Sequence, residues 1–314
     1  MSNPTGKEIS GQQAQAFLID TLGFDVTDVE QIGEGAWSRC FGFRRGDDAL
    51  AIRFGKYVDD FQKDQLASHY ASAALPIPVV LDIGKAFGGY YAISTRVYGV
   101  PLESVNPPQW QALVPSVVAA LEAMRTADLV ATTGLGGWGL DGQAPFDRWS
   151  QHLLTVSDDR PDRRTYGWQQ KLATSPDDAT TFIWGFDLLK QLVRDDVPRS
   201  LLHCDLINRN VLVTDERIAG IFDWGCSLYG DHLYELAWFE FWAPWTPNLD
   251  IPYLRAAIEQ RWQAIGYVPT NKAPRLTACY LHIGLDHLAY NAHLGDWASL
   301  RATADQMRAL VNRG

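Results

Sequence analysis

Cysteine is scarce in this chain: Cys40, Cys204, Cys226 and Cys279 stand far apart and never as a Cys-x-x-Cys pair. That spacing argues against a zinc site and against a disulfide scaffold, leaving reduced structural thiols. Long apolar runs are missing as well. None approaches the ~20 residues that span a bilayer, and the first residues, Met1-Ser2-Asn3-Pro4-Thr5-Gly6-Lys7, lack the apolar centre of a secretion signal. The expected location is therefore the cytoplasm, with no membrane partner. Basic charge is in deficit, with 27 Lys and Arg against 37 Asp and Glu and a net charge of −10. A chain so poor in cations offers no surface for nucleic acid and favours a cationic small molecule. Internal repeats and low-complexity segments are absent too. What remains is an ordinary globular composition, 46% hydrophobic and 20% charged, in 314 residues, which is enough for two lobes or one large domain.

Two short stretches carry the chemistry. Leu201 and Leu202 lead into the polar turn His203-Cys204-Asp205-Leu206-Ile207-Asn208-Arg209-Asn210, and Val211 to Val213 lead out, so the turn is expected between two short buried strands. A carboxylate such as Asp205 can take a proton from an attacking hydroxyl, and an amide oxygen such as that of Asn210 can bind a divalent cation carrying phosphate. Eighteen residues after Asp205, Ile221-Phe222-Asp223-Trp224-Gly225 delivers a second carboxylate at a strand end, followed by a glycine expected to let the chain turn sharply. An Asp near an Asn is by itself ordinary turn chemistry. His-x-Asp-x-x-x-x-Asn followed by Asp-x-Gly, in this order and framed by apolar strands, is the pattern of phosphoryl transfer: Asp205 as base, Asn210 and Asp223 as metal ligands.

Upstream, the pattern predicts a helix over 11–22, capped by Ser10 with Gln13 and stopped at Gly23, then strands over 27–32, 38–43 and 49–54. Between the first two strands lies Gly33-Glu34-Gly35-Ala36-Trp37-Ser38. Glycines there allow backbone N–H groups to approach phosphate oxygens, with the Ser38 hydroxyl as a further donor. Taken alone, Gly-x-Gly between strands is a plain hairpin. Arg53, in the third strand, stands where the kinase pattern has lysine; it keeps the charge but brings a larger, forked donor set. A helix over 59–73, stopped by Pro76 and Pro78, and strands over 79–83 and 90–95 complete the amino-terminal part.

From Pro108 the pattern is helical, with Pro115 expected to kink or divide the first helix. Gly134-Leu135-Gly136-Gly137-Trp138-Gly139 has the composition of a phosphate loop but reads as an ordinary connection, because no Lys-Ser pair follows it. Residues 157–165 read as an exposed loop, Phe182 to Val193 as an amphipathic helix feeding the polar turn, and three closing helices are expected over 250–264, 273–294 and 296–312. Only residues 226–230 separate Gly225 from Asp231, too few for the activation segment with which a protein kinase holds a peptide, and no Ala-Pro-Glu follows. The residue after His203 is Cys204 rather than an arginine that would pair with a phosphorylated segment. Both features favour a small-molecule acceptor.

The chain resembles the aminoglycoside phosphotransferases. The likeness rests on the catalytic stretches, on Ala71-Ser72-Ala73-Ala74-Leu75-Pro76-Ile77-Pro78, Val80-Leu81-Asp82-Ile83-Gly84, Gly230-Asp231 and Ile283-Gly284-Leu285-Asp286, and on Phe241-Trp242 with Pro244-Trp245. The alanine-proline run and the paired tryptophans point to the hygromycin branch of that family. The resemblance implies an α+β, bilobal protein-kinase-like fold: an amino-terminal nucleotide-binding lobe over 1–97 with a five-stranded antiparallel sheet, and a mostly helical catalytic and substrate-binding lobe over 98–314. It implies ATP and Mg2+ as cofactors and an aminoglycoside as the cationic substrate of a monomeric enzyme. By the same likeness Gly33, Gly35, Ser38, Arg53 and Asp64 attend the phosphates, with Asp64 orienting Arg53. Ile93, Ser94, Arg96, Val97, Leu212 and Phe222 attend the base. His203 is expected to be structural, and Asp231 to accept backbone hydrogen bonds from the catalytic loop. For the acceptor, beside Asp205, the candidates are Glu235, Trp238, Glu240, Trp242, Trp245, Asp286 and Tyr290, carboxylates for ammonium groups and indole faces for sugar rings. Trp238 reads equally well as a packing residue. Two other readings stay open: a kinase of the same fold for another hydroxyl compound, and a nucleotide-binding protein without transferase activity.

Overall fold

In the computed structural model, residues 9–35 and 38–313 are described; the amino-terminal heptapeptide read above and Ala36 and Trp37 of the glycine loop lie outside them. The chain forms two compact units. The first comprises Met1–Ser104, Gly139–Asp141 and Leu206–Cys226, and the second Val105–Trp138, Gly142–Asp205 and Ser227–Gly314. A single cut after residue 97 therefore does not describe it, because the segment carrying Asn210 and Asp223 folds with the amino-terminal residues.

The first unit opens with α1 (Gly11–Leu22), whose capping box is formed by Ser10 and Gln13 and which ends at Gly23 with φ of 106°. Strands β1 (Val26–Glu34), β2 (Ser38–Arg45) and β3 (Asp48–Gly55) follow, then α2 (Val58–Ala67), β4 (Val80–Ala86) and β5 (Gly89–Thr95). They make an antiparallel sheet in the order β1-β2-β3-β5-β4. Its inner face is set by alternation. Phe41, Phe43, Ile52, Phe54 and Ile93 point to one side and bury with Leu18 and Ala14 of α1. The helix expected to reach residue 73 ends at Ala67 and continues only as a 3-10 turn over Ser68–Tyr70. Strand β6 (Val100–Pro101) pairs not with its sequence neighbours but with the later segment.

The second unit contains α3 (Pro107–Arg125), β7 (Gly136–Gly137), α4 (Trp149–Leu154), α5 (Trp168–Leu172), α6 (Pro176–Leu192) and β8 (Ser200–Leu202). The chain then returns to the first unit for β9 (Val211–Thr214) and β10 (Arg217–Ile221). Back in the second unit come β11 (Leu228–Gly230), α7 (Leu233–Trp242), α8 (Ile251–Ala264), α9 (Lys272–Leu294) and α10 (Trp297–Val311). Helix α3 runs unbroken through Pro115, so the proline removes one backbone donor without dividing it. Helix α9 is apolar on nearly every side and buried accordingly among α5, α6, α7 and α10. Gly284 is needed there, since a Cβ would lie 2.5 Å from the Met307 sulfur. The expected connection at 134–139 contains β7, which pairs with β11 in a small sheet of order β7-β11-β8.

Candidate active site

The β9–β10 hairpin places two of the expected residues side by side. Ile221 pairs with Val211, and the Phe222 N–H donates to the Asn210 carbonyl at 2.9 Å, so Asn210 and Asp223 leave the open end of one hairpin together. The chain enters through two consecutive left-handed residues, Asn208 (φ 75°) and Arg209 (φ 66°), and leaves through a third, Asp223 (φ 59°). Such backbone costs about 1–3 kcal/mol per residue and persists only when its surroundings hold it. Here the Arg209 N–H donates to Glu103 Oε1 at 2.7 Å. The sharp turn expected of Gly225 is thus made by Asp223. A Cβ at Gly225 would lie 2.9 Å from Asp60 Oδ1, so a larger residue there would push the Asp60 carboxylate aside.

Helix α2 is bound to the same turn by adjacent side chains. Asp64 pairs with the Arg53 guanidinium through Oδ2 and accepts the Trp224 N–H at 2.8 Å through Oδ1. Lys63 donates to the Gly225 carbonyl at 2.9 Å. Arg53 also lies 3.6 Å from Asp223. Burial pushes the Asp64 carboxyl up to about 6, against the pull of Arg53. Burial alone would lower Arg53, but the carboxylates of Asp64 and Asp223 more than offset it and hold the guanidinium above its usual range. The arginine is therefore a fixed cation.

These groups line a cavity of about 580 Å³ within the first unit, a size suited to a nucleotide. Gly33, Gly35, Ser38, Arg53, Asp64, Ser94, Val97, Asn210, Leu212, Phe222 and Asp223 all face it. Ala51, Ile77, Val80 and Ala92 add apolar wall. Ile93 and Arg96 do not face it. Ile93 is 3% exposed in the core beneath the sheet, on the opposite face of β5 from Ala92 and Ser94. Arg96 pairs with Glu30 at 2.7 Å and lies over the Tyr98 ring. Sequence reading missed Glu103 and Lys63, whose contacts span 106 and 162 residues of chain and leave no local signal.

In the second unit Asp205 is half-buried in the loop leaving β8. His203 is fully buried, and its Nδ1 accepts the Asp205 N–H at 3.2 Å, a structural role as expected. Glu235 accepts the N–H groups of His203 and Cys204 on one oxygen, at 2.5 and 2.8 Å. Asp231 does not serve that loop. It pairs with buried Arg275 at 2.5 and 2.8 Å and accepts the Leu233 N–H. Glu235 is 3% exposed, so it is withdrawn from the acceptor candidates. Glu240 is likewise committed, to Arg255 and to the Tyr280 hydroxyl, and Trp238 is buried. What stays accessible is an aromatic edge: Trp245 is exposed, its ring 5.3 Å from that of Trp242, which meets His287 at 4.6 Å. Asp286 is exposed on α9, and Tyr290 half-buried one turn on.

A sequence profile of the phosphotransferase enzyme family matches residues 58–267. The chain belongs to that family. Over 98% of its length it is 33% identical to the hygromycin-B 4-O-kinase of Escherichia coli, covering 87% of that protein. The crystal structure of a thermostable mutant of aminoglycoside phosphotransferase APH(4)-Ia, in ternary complex with AMP-PNP and hygromycin B, superposes with a TM-score of 0.81 at 32% identity. That match covers 95% of this chain and 97% of the other. At 14% identity, aminoglycoside 2'-phosphotransferase-IIIa in its GDP complex shares the fold with a TM-score of 0.63.

For this phosphotransferase the α+β kinase-like fold expected from the sequence is what is found. The donor set also fits the expected ion. Among the described residues no three His, Cys, Asp or Glu side chains gather to hold a metal unaided. One amide and one carboxylate, Asn210 and Asp223, share the cavity. Mg2+ is commonly held in this way, by one or two protein oxygens, waters and the substrate's phosphates.

Proposed function

We propose that the chain transfers the γ-phosphoryl group of ATP to a hydroxyl of hygromycin B or a closely similar aminocyclitol, and so confers resistance. The observation that carries this reading is the shared cavity of Arg53, Asp64, Asn210 and Asp223 in a chain that aligns almost end to end with a hygromycin-B 4-O-kinase. Asp205 orients the acceptor hydroxyl and takes its proton as the oxygen bonds to the γ-phosphorus. The bond to the bridging oxygen breaks, and ADP leaves. Asn210 and Asp223 hold Mg2+, which when bound neutralises phosphate charge. Arg53 and the backbone of Gly33 and Gly35 stabilise the same charge from the other side. Val97 and Leu212 flank the base. Trp242, Trp245, Asp286 and Tyr290 receive the aminocyclitol, carboxylate against ammonium and indole against ring. The enzyme works as a monomer in the cytoplasm, where ATP is supplied.

The test is direct. Purified protein with magnesium and ATP is expected to add one phosphate to hygromycin B, seen by mass spectrometry. Asp205→Ala is expected to lose ~10²–10⁴-fold in turnover while nucleotide affinity stays unchanged by calorimetry. If hygromycin B and related aminocyclitols all remain unmodified while another hydroxyl compound is phosphorylated, the substrate assignment fails and the kinase assignment stands.

A further inference from the structure

We infer that Arg209 is a second phosphate-binding residue of the nucleotide cavity, its guanidinium meeting the oxygens of the ATP tail from the turn that carries Asn210. This rests on the nucleotide-binding part of the proposed function. The motif leaves the position open: Arg209 is the last variable residue of His-x-Asp-x-x-x-x-Asn, where neither the base nor the metal ligands call for a cation.

Three observations meet at this residue. Arg209 lines the cavity of about 580 Å³, between Asn208 and Asn210 in sequence. Its backbone is held: φ is 66°, the preceding Asn208 is also left-handed at 75°, and the Arg209 N–H donates to Glu103 Oε1 at 2.7 Å. A β-substituted residue stays in that region only under constraint, so the side chain is projected from a fixed point. Its head is committed to nothing. The side chain is exposed and makes no ion pair or hydrogen bond with any described residue, and the second oxygen of Glu103, Oε2, likewise has no hydrogen-bond partner among them.

The charges around the cavity say what such a head is for. The lining includes four carboxylates, Glu34, Asp64, Glu103 and Asp223, against two guanidiniums, Arg53 and Arg209. Arg53 is shared between Asp64 and Asp223, so most of its charge is offset before a nucleotide enters. A phosphate tail brought among these carboxylates is repelled unless further cations face it. Among the described lining residues, Arg209 is the cation that no carboxylate pairs. The acceptor class points the same way. An aminocyclitol carries ammonium groups, which a guanidinium repels, so the anion of the reaction that Arg209 can meet is the phosphate tail. The flat fork of guanidinium donors matches phosphate oxygens, and such bonds are charge-assisted.

The test reads binding, with no acceptor present. Arg209→Asn removes the cation, keeps the N–H for Glu103 and places a residue that adopts the left-handed region readily. Arg209→Lys keeps the charge and loses the fork. By calorimetry at one magnesium concentration, Arg209→Asn is expected to weaken ATP and ADP by ~10-fold, the scale of one hydrogen bond to a charged group, while adenosine affinity stays within ~2-fold. Arg209→Lys is expected to fall between the two. The loss is expected to shrink as salt is raised, because an exposed charge is screened. An Arg209→Asn protein that binds ATP and ADP within ~2-fold of wild type, or that loses adenosine as strongly as ADP, overturns the inference. Turnover reports separately on the assigned activity: a phosphate-dependent loss in a protein whose wild type phosphorylates no hydroxyl compound upholds the inference and overturns the transferase reading.

Discussion

Asp64 is the residue on which the nucleotide cavity is most exposed to a single change. Its two oxygens do different work: Oδ2 holds Arg53, and Oδ1 accepts the Trp224 N–H at 2.8 Å. In Asp64→Asn the carbonyl oxygen can keep Trp224, so the turn after Asp223 survives, but an amide N–H₂ replaces the charge facing the guanidinium. Arg53 then keeps Asp223, 3.6 Å away, as an ion-pair partner, with Asp60 acting from farther off. Removing one partner of a buried pair costs about 3–5 kcal/mol. With the side chains of Arg53 and Asp64 18% and 14% exposed, solvent screening places this pair at the lower end. About 3 kcal/mol corresponds to ~10²-fold in kcat/KM for ATP, at 1.36 kcal/mol per decade. Because the freed guanidinium competes for Asp223, the Mg2+ concentration for half-maximal rate is expected to rise as well. Steady-state rates over a grid of ATP and Mg2+ read both effects. The double variant Arg53→Met with Asp64→Asn is expected to be no worse than Arg53→Met alone, the sign of direct coupling. An Asp64→Asn enzyme within threefold of wild type, with unchanged Mg2+ dependence, would refute the reasoning.

Two further perturbations test the second unit. Trp242→Ala and Trp245→Ala are each expected to raise KM for hygromycin B by ~10-fold, from about 1–2 kcal/mol of lost stacking and cation–π contact, with KM for ATP unchanged; an unaltered aminocyclitol KM in both would remove the aromatic edge from the acceptor site. Arg275→Met leaves Asp231 buried at 1% exposure without its cation, and is expected to cost about 3–5 kcal/mol and lower the melting temperature by ~10 °C. Calorimetry showing no loss would mean that the pair contributes nothing net to the fold.

The sequence was most legible where a local rule decides. The α1 cap, the five strands and the three closing helices lie within a few residues of where periodicity and capping put them. Asn210 and Asp223, each expected beside an apolar strand, lie next to β9 and β10 and line one cavity. The readings that failed are those that local rules leave degenerate. Ile93 was one residue out of phase: in a strand, adjacent residues face opposite ways, and Ala92 and Ser94 rather than Ile93 line the cavity. Asp231 and Glu235 are four apart, near the start of α7, and both are acids. Which of them meets the catalytic loop is decided by Arg275, 44 residues beyond Asp231, which takes Asp231 and leaves Glu235 for the loop. Leu206–Cys226 joins the first unit through long-range contacts, among them pairing of Val100 and Pro101 with β9 and the bonds of Asp64 and Lys63 to Trp224 and Gly225.

The shortness of the segment between Gly225 and Asp231 has a structural consequence beyond the missing peptide platform. Leu228, Tyr229 and Gly230 are committed as β11, paired to Leu202, Leu201 and Ser200 of β8 on one side and, through Leu228 and Tyr229, to Gly137 and Gly136 of β7 on the other. Gly230 admits the Trp149 ring so closely that a Cβ would lie 2.3 Å from it. With 228–230 paired in this sheet, residues 226–230 contain no segment long enough to be released, ordered or phosphorylated. The strand that leads into His203 and Asp205 is itself the partner of β11. A kinase built this way has its catalytic loop braced by sheet pairing and by the Glu235 carboxyl, with no phosphorylation-driven segment in between.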